Sequence, residues 1–236
     1  MTASSPREAP ATGAEDEQAA AQAGEAFTID IVSDVVCPWC YIGKRHLDDA
    51  LARWRERHPD APAPEIAWHP FQLNPAMPAQ GMARADYLQA KFGDPRGGPG
   101  YQRVRNAASA AGLVFHPERI VRQPNTLRAH ALIRAAGREL QHDLAARLFE
   151  GYFVRGEDIG DEATLRAAAD AVQMPAQAVD AAMRPDALEA TAAIDAGLRD
   201  AGIGGVPHFV IGKRVSVSGA QGADRLLEAI ELCTPA

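Results

Sequence analysis

Four short stretches of the chain carry a strand pattern, and they sit near its two ends. Phe27-Thr28-Ile29-Asp30-Ile31-Val32 is a compact β-rich run, and Glu65 to His69 sets Ile66 and Trp68 in alternation with Ala67 and His69. His208–Ile211 is apolar, a Gly212-Lys213-Arg214 turn follows, and Val215–Ser218 completes a hairpin pattern. Between the first two strands, residues 38–58 read as a helix, which predicts a right-handed βαβ unit with parallel strands. From about 75 to 202 the pattern is almost wholly helical. Pro75, Pro78, Pro95, Pro99, Pro117, Pro124, Pro175 and Pro185 punctuate it as helix starts and loops do. Asn125, Asp161 and Pro185 read as helix starts, and Gly93 to Gly100 as the clearest loop. A last helix is expected from about Gly222 to Leu232. The predicted fold class is α/β, a sheet-containing core over 26–74 and 203–236 interrupted by a large all-helical insertion over 75–202.

Composition narrows the function. At 236 residues and 47% apolar, the chain can bury a sizeable core. A net charge of −7 with no Lys/Arg-rich stripe argues against a nucleic-acid partner. No apolar run approaches the roughly 18–20 residues of a membrane span. Residues 1–25 hold five acids (Glu8, Glu15, Asp16, Glu17, Glu25) against one base, Arg7, and read as a disordered acidic tail. The start at Met1 lacks the basic stretch and apolar run of a secretory signal. A cytoplasmic location is therefore expected, with any dithiol largely reduced at rest.

The chemistry lies where the first strand gives way to the first helix, at Cys37-Pro38-Trp39-Cys40. Residues three apart share a helix face, so the two sulfurs can close a small ring. Pro38 suits the first helical position, where its missing N–H has no partner to lose. Cys37 then lies near the N-cap, where unpaired N–H groups and the helix dipole favour a thiolate nucleophile. Cys40, one turn in and less exposed, is the expected resolving thiol. The competing readings are two unreactive core cysteines and a metal half-site, but a structural zinc usually takes four ligands and no second CxxC or paired His run is present. No metal is expected. Trp39 projects from between the sulfurs and is expected to shape an apolar peptide-binding surface.

A second segment, Gly204-Gly205-Val206-Pro207 before His208-Phe209-Val210-Ile211-Gly212, places a proline at the head of a strand, where its missing donor is tolerated. With these two motifs the chain resembles the DsbA-type thiol–disulfide oxidoreductases of the thioredoxin superfamily, and among them the FrnE-like subgroup. The resemblance also rests on Ser33 to Gly43, on Pro70-Phe71-Gln72-Leu73-Asn74-Pro75, on Asn125-Thr126-Leu127-Arg128-Ala129-His130, on Leu148 to Phe153 and on Ser218-Gly219-Ala220-Gln221. These matches are collinear over about residues 27 to 232. The resemblance implies a thioredoxin-like fold for the α/β core, a cis bond at Pro207 facing the CxxC, and a Val206 backbone that pairs with extended substrate. It implies no bound cofactor beyond the redox-active cysteines, with glutathione a candidate co-substrate. Partners would be substrate proteins or small thiols and disulfides, with a second copy of the chain as a candidate.

Other residues carry two readings each. Asp34 reads first as a loop cap on neighbouring N–H groups, and second as an influence on Cys37 or a proton relay. Thioredoxins carry a buried acid six residues before the nucleophile; that position is Ile31 here, which leaves proton transfer from Cys40 to water. His208 could face Cys37 or, by strand alternation, turn away. Asn125 and His130 match family positions, or are an N-cap and a core histidine. Cys233 follows Leu226, Leu227 and Ile230 at helical spacing and reads as a core residue, with a regulatory thiol as its alternative. Two rival functions remain: a glutathione-dependent isomerase of the 2-hydroxychromene-2-carboxylate isomerase or kappa-class type, which needs no second cysteine, and a non-catalytic holdase using the surface around Trp39.

Overall fold

The computed structural model describes residues 27–234; the acidic tail expected over 1–25 lies outside them. A four-stranded sheet runs in the order β2-β1-β5-β6. β1 (Thr28–Ser33) pairs in parallel with β2 (Glu65–Pro70), from Thr28 opposite Glu65 to Ser33 opposite Pro70. β5 (His208–Ile211) is antiparallel to β1, with Val32 opposite His208, and β6 (Val215–Ser218) is antiparallel to β5. That register matters for the site. The loop that leaves β1 after Ser33 and the Val206-Pro207 segment that enters β5 are forced to the same end of the sheet.

α1 (Pro38–Arg57) follows the β1 loop. Its Leu47, Ala50 and Trp54 are buried, while Arg55, Glu56 and Arg57 stay in solvent, as an amphipathic helix on a sheet requires. α9 (Ala223–Glu231) packs alongside α1 through Leu226, Leu227 and Ile230. Arg53–Asp224 (2.7 Å) and His58–Glu231 (2.7 Å) line the rim of that contact, and Trp54 Nε1 donates to Thr234 Oγ1 at 2.7 Å.

The segment between β2 and β5 folds mainly into helices: α2 (Arg84–Phe92), α3 (Gly98–Ala110), α4 (Leu127–Ala135), α5 (Arg138–Glu150), α6 (Glu162–Ala171), α7 (Ala176–Ala182) and α8 (Pro185–Asp200). α5 runs on into a wide turn with π-type hydrogen bonding over Gly151–Arg155. The insertion is not all-helical. β3 (Met82–Ala83) and β4 (Arg122–Gln123) form a two-residue antiparallel ladder that ties α2 to the chain ahead of α4. Strands this short carry no periodicity that a sequence window could register. The Gly93–Gly100 loop is also shorter than expected, because Gly98-Pro99-Gly100 is already the first turn of α3. Pro99 there is a helix-starting residue rather than a breaker. Asp161 caps α6 by accepting from the Thr164 N–H at 2.9 Å, and Pro185 opens α8, both as expected.

β2 is an edge strand, and α4, α5 and α8 cover it. The insertion thus buries an edge that would otherwise present unpaired backbone groups. Aromatic packing joins the two parts: Tyr41 of α1 stacks on Phe149 and Phe153, each with ring centroids 5.5 Å apart. One continuous apolar cluster runs from Ile29 and Phe209 through Tyr41 and Trp68 to Leu148 and Leu165.

Candidate active site

Cys37 occupies the N-cap of α1 with extended backbone (φ −86°, ψ 114°), and Pro38 takes the first helical position. No side chain caps the helix. Instead the Cys37 carbonyl accepts from the N–H groups of Cys40 (3.0 Å) and Tyr41 (3.2 Å), and the Cys37 N–H donates to the Asp34 carbonyl at 2.9 Å. The Cys37 thiol is aimed at the Val206 carbonyl oxygen, 3.9 Å away across 169 residues of chain. The Val206–Pro207 peptide bond is cis. Pro207 packs on the first turns of α1, where Gly43 leaves room for its ring.

Cys37 was expected to be the more exposed of the pair. The residue is buried at 3%, barely above Cys40 at 1%, and both are free thiols. Trp39 is the exposed member of the motif at 39%. Ile203, Val206, Pro207, His208 and Ser218, with the glycines around them, form a shallow cleft of about 320 Å³. Burial, then the hydrogen bond and charge of Cys37, hold the Cys40 thiol well above the usual cysteine range. The Ser33 side chain and the Asp34 backbone pull the other way. Ser33 Oγ lies against Cys40 without a hydrogen bond of normal geometry.

Asp34 is fully buried, and its carboxylate joins three segments. It accepts from the Val36 N–H at 3.4 Å, from the Leu73 N–H at 2.7 Å, and faces His130 Nε2 at 3.3 Å. The loop-cap reading therefore describes part of its work, and the partner of His130 was not foreseen. Asn125 is structural in its contacts: Oδ1 accepts from Gln72 Nε2 (3.2 Å) and from the Leu127 N–H (2.9 Å), and Nδ2 donates to the Met77 carbonyl (2.7 Å). It sits one residue ahead of the α4 N-cap, Thr126. His208 turns to the neighbouring strand, its Nδ1 2.9 Å from Ser218 Oγ, as the alternation with buried Phe209 dictates. Cys233 packs in the core and its thiol donates to the Ile211 carbonyl at 3.2 Å; burial raises it above the usual thiol range.

The sequence reading missed the scaffold around residues 70–75. The Gln72 N–H donates to Asp195 Oδ1 of α8 at 3.2 Å, Arg199 reaches the Gln72 carbonyl, and its guanidinium lies 3.9 Å over the Phe71 ring. With the Asp34–Leu73 bond this pins the loop beside the thiols from two sides. Asp195 and Arg199, one helical turn apart late in the insertion, gave no local signal of that task. Among the described residues there is no cluster of His, Cys, Asp or Glu placed to hold a metal, and no helix long and apolar enough to cross a membrane.

Comparison with known proteins agrees with the geometry. An uncharacterized Bacillus subtilis protein, YwbO, is 26% identical over 210 residues, spanning 86% of this chain and 94% of its own. The crystal structure of a probable DsbA oxidoreductase from Streptomyces coelicolor superposes with a TM-score of 0.73 at 26% identity, covering 88% of this chain and 89% of that one. The glutathione-bound cytosolic disulfide reductase DsbM of Pseudomonas aeruginosa shares the fold, with a TM-score of 0.62, 19% identity, and coverage of 87% and 98%. The family described as a DSBA-like thioredoxin domain matches residues 28–231, nearly the whole of the described structure, and the chain belongs to that family.

Proposed function

We propose that the protein is a thiol–disulfide oxidoreductase that works through Cys37 and Cys40. The observation that carries this is the Cys37 thiol facing the Val206 carbonyl, with Cys40 buried one turn behind it. The Cys37 thiolate attacks a substrate disulfide and forms a mixed disulfide, while the substrate's other sulfur leaves as a thiolate. Substrate backbone lies along Val206, beside Pro207 and the exposed face of Trp39. Cys40 then attacks Cys37, closes the intramolecular disulfide and releases reduced substrate; run backwards, the same steps oxidise a dithiol. Glutathione is the candidate co-substrate, in line with the ligand held by DsbM. A glutathione-dependent isomerase would leave Cys40 without a task, and a holdase would need neither sulfur.

The test is to equilibrate the protein with glutathione buffers and trap free thiols. A potential near thioredoxin's, about −270 mV, marks a reductase, and one between about −120 and −180 mV an oxidant or isomerase. If no Cys37–Cys40 disulfide forms at any ratio, the proposal fails and the isomerase takes its place. In Cys40→Ser, redox turnover should stall as a mixed disulfide on Cys37, whereas isomerase activity would survive.

A further inference from the structure

Cys40 must lose a proton before it can resolve the mixed disulfide, and its surroundings hold no carboxylate in the usual place, since Ile31 is a fully buried aliphatic residue. Ser33, whose side chain acts on Cys40, instead lines a small cavity of about 10 Å³ together with Val35, Trp68, His69, Pro70, His130 and Ile133. The cavity's size suits about one water molecule. Two buried polar atoms on these lining residues, Ser33 Oγ and Trp68 Nε1, have no hydrogen-bond partner. Burying such groups unpaired is unfavourable, and a shared water would relieve it. The remaining polar wall is His130, whose Nε2 faces the Asp34 carboxylate at 3.3 Å, and His69, whose Nε2 lies 2.8 Å from Asp30.

We propose that Ser33, one water in this cavity and His130 form the proton exit for Cys40. The inference rests on the dithiol function proposed above. Cys40 passes its proton to Ser33 Oγ while the Ser33 hydroxyl proton moves to the water, and a water proton moves to the second ring nitrogen of His130. The imidazolium formed is held by the Asp34 carboxylate, which keeps the other ring N–H directed at itself. The electron pair left on the Cys40 sulfur forms the bond to Cys37, the Cys37–substrate bond breaks, and the substrate sulfur departs as a thiolate. The chain thus replaces a single buried acid with a serine, a water and a His–Asp pair approaching Cys40 from the insertion side. His130 acts through intermediates and is a relay rather than a group that touches substrate.

The experiment is a single-turnover reaction of reduced protein with a chromogenic bis(nitrobenzoate) disulfide, in a Cys233→Ala background so that two thiols report. The first thiolate released marks attack by Cys37 and the second marks resolution by Cys40. If no second release is seen with Ser33 and His130 intact, the dithiol reading itself has failed, which keeps the two failures distinct. The expected result is that Ser33→Ala and His130→Gln each lower the ratio of second to first rate by at least about tenfold, within the range of proton-transfer catalysis. Ser33→Thr, which keeps the hydroxyl, should stay within about threefold by the same scale. In heavy water the second phase of the protein with Ser33 and His130 intact should slow more than the first, a measurement that needs no variant to fold. An unchanged ratio in folded Ser33→Ala overturns the proposal. So does an equal heavy-water effect on both phases. If His69→Gln lowers the ratio and His130→Gln does not, the assignment of His130 is overturned.

Discussion

Gly43 and Pro207 touch across the molecule: a Cβ added at Gly43 would sit 2.9 Å from Pro207 Cγ and 3.3 Å from Phe209 Cζ. The helix that carries the thiols and the segment that faces them are thus fitted to each other through a missing side chain. Alanine in a helix interior normally gains up to about 1 kcal/mol over glycine. Here the contact is with a rigid ring and a buried phenyl group, and overpacking costs about 1–3 kcal/mol. Gly43→Ala should therefore lower the melting temperature and slow disulfide exchange together. A variant more stable than the parent would show that Pro207 has room to move.

Cys40 should be slow to alkylate. Burial is the largest reason its thiol stands above the usual range, followed by the hydrogen bond and charge of Cys37. Cys37→Ser removes the charge and leaves the burial. Mass spectrometry of iodoacetamide labelling in that variant should show Cys40 reacting more slowly than a free thiol at every pH below about 8.5, the ordinary cysteine value. Labelling at the free-thiol rate at neutral pH would contradict the burial.

Asp34 should cost stability out of proportion to its size. Alanine there leaves the N–H groups of Leu73 and Val36 and the ring of His130 facing an apolar gap. One unsatisfied buried donor costs about 1–3 kcal/mol, so Asp34→Ala should lose at least about 2 kcal/mol in denaturant titration. Asp34→Asn keeps one carbonyl acceptor and should lose less. Equal losses would mean that the carboxylate's charge, rather than its acceptors, holds the loop.

Asp48 supplies a pH-dependent tie between α1 and the insertion. Burial raises its carboxyl, but the hydrogen bond from His142 of α5 (2.7 Å) and the charge and hydrogen bond of Lys44 (2.8 Å) outweigh it, and the net shift is downward. A carboxyl lowered by folding adds stability above its unfolded value, near 3.9, and loses it as the pH falls through the lower folded value. Asp48→Asn should flatten the acid limb of a melting-temperature profile below about pH 4 and lower the plateau above it. An unchanged acid limb would assign the acid sensitivity to other carboxylates.

The two cysteines, the strands around them and the starts of several helices were legible in the sequence, because each rests on local chemistry. Pro38 and Pro185 start helices, Asp161 caps one, and the strands repeat every second residue. What was not legible depends on pairing across the insertion. His130 reads as a core histidine until the fold places it 3.3 Å from Asp34, 96 residues away. Asp195 and Arg199 carry no local sign that they hold the Gln72 backbone. The β3–β4 ladder is too short to have a period. Cys37 is the more exposed of the pair, as expected, but its near-complete burial was not readable, because the chain that roofs it arrives 169 residues later.

That long separation sets an order of events during synthesis. The CPWC helix is finished early, whereas Val206, Pro207 and β5 follow it by some 150 residues of chain. A growing chain therefore exposes a dithiol helix with neither a ceiling nor a binding edge, and contacts this distant in sequence form late. On the function proposed above, a chain truncated before residue 206 would keep both sulfurs but lack the segment that selects what they react with.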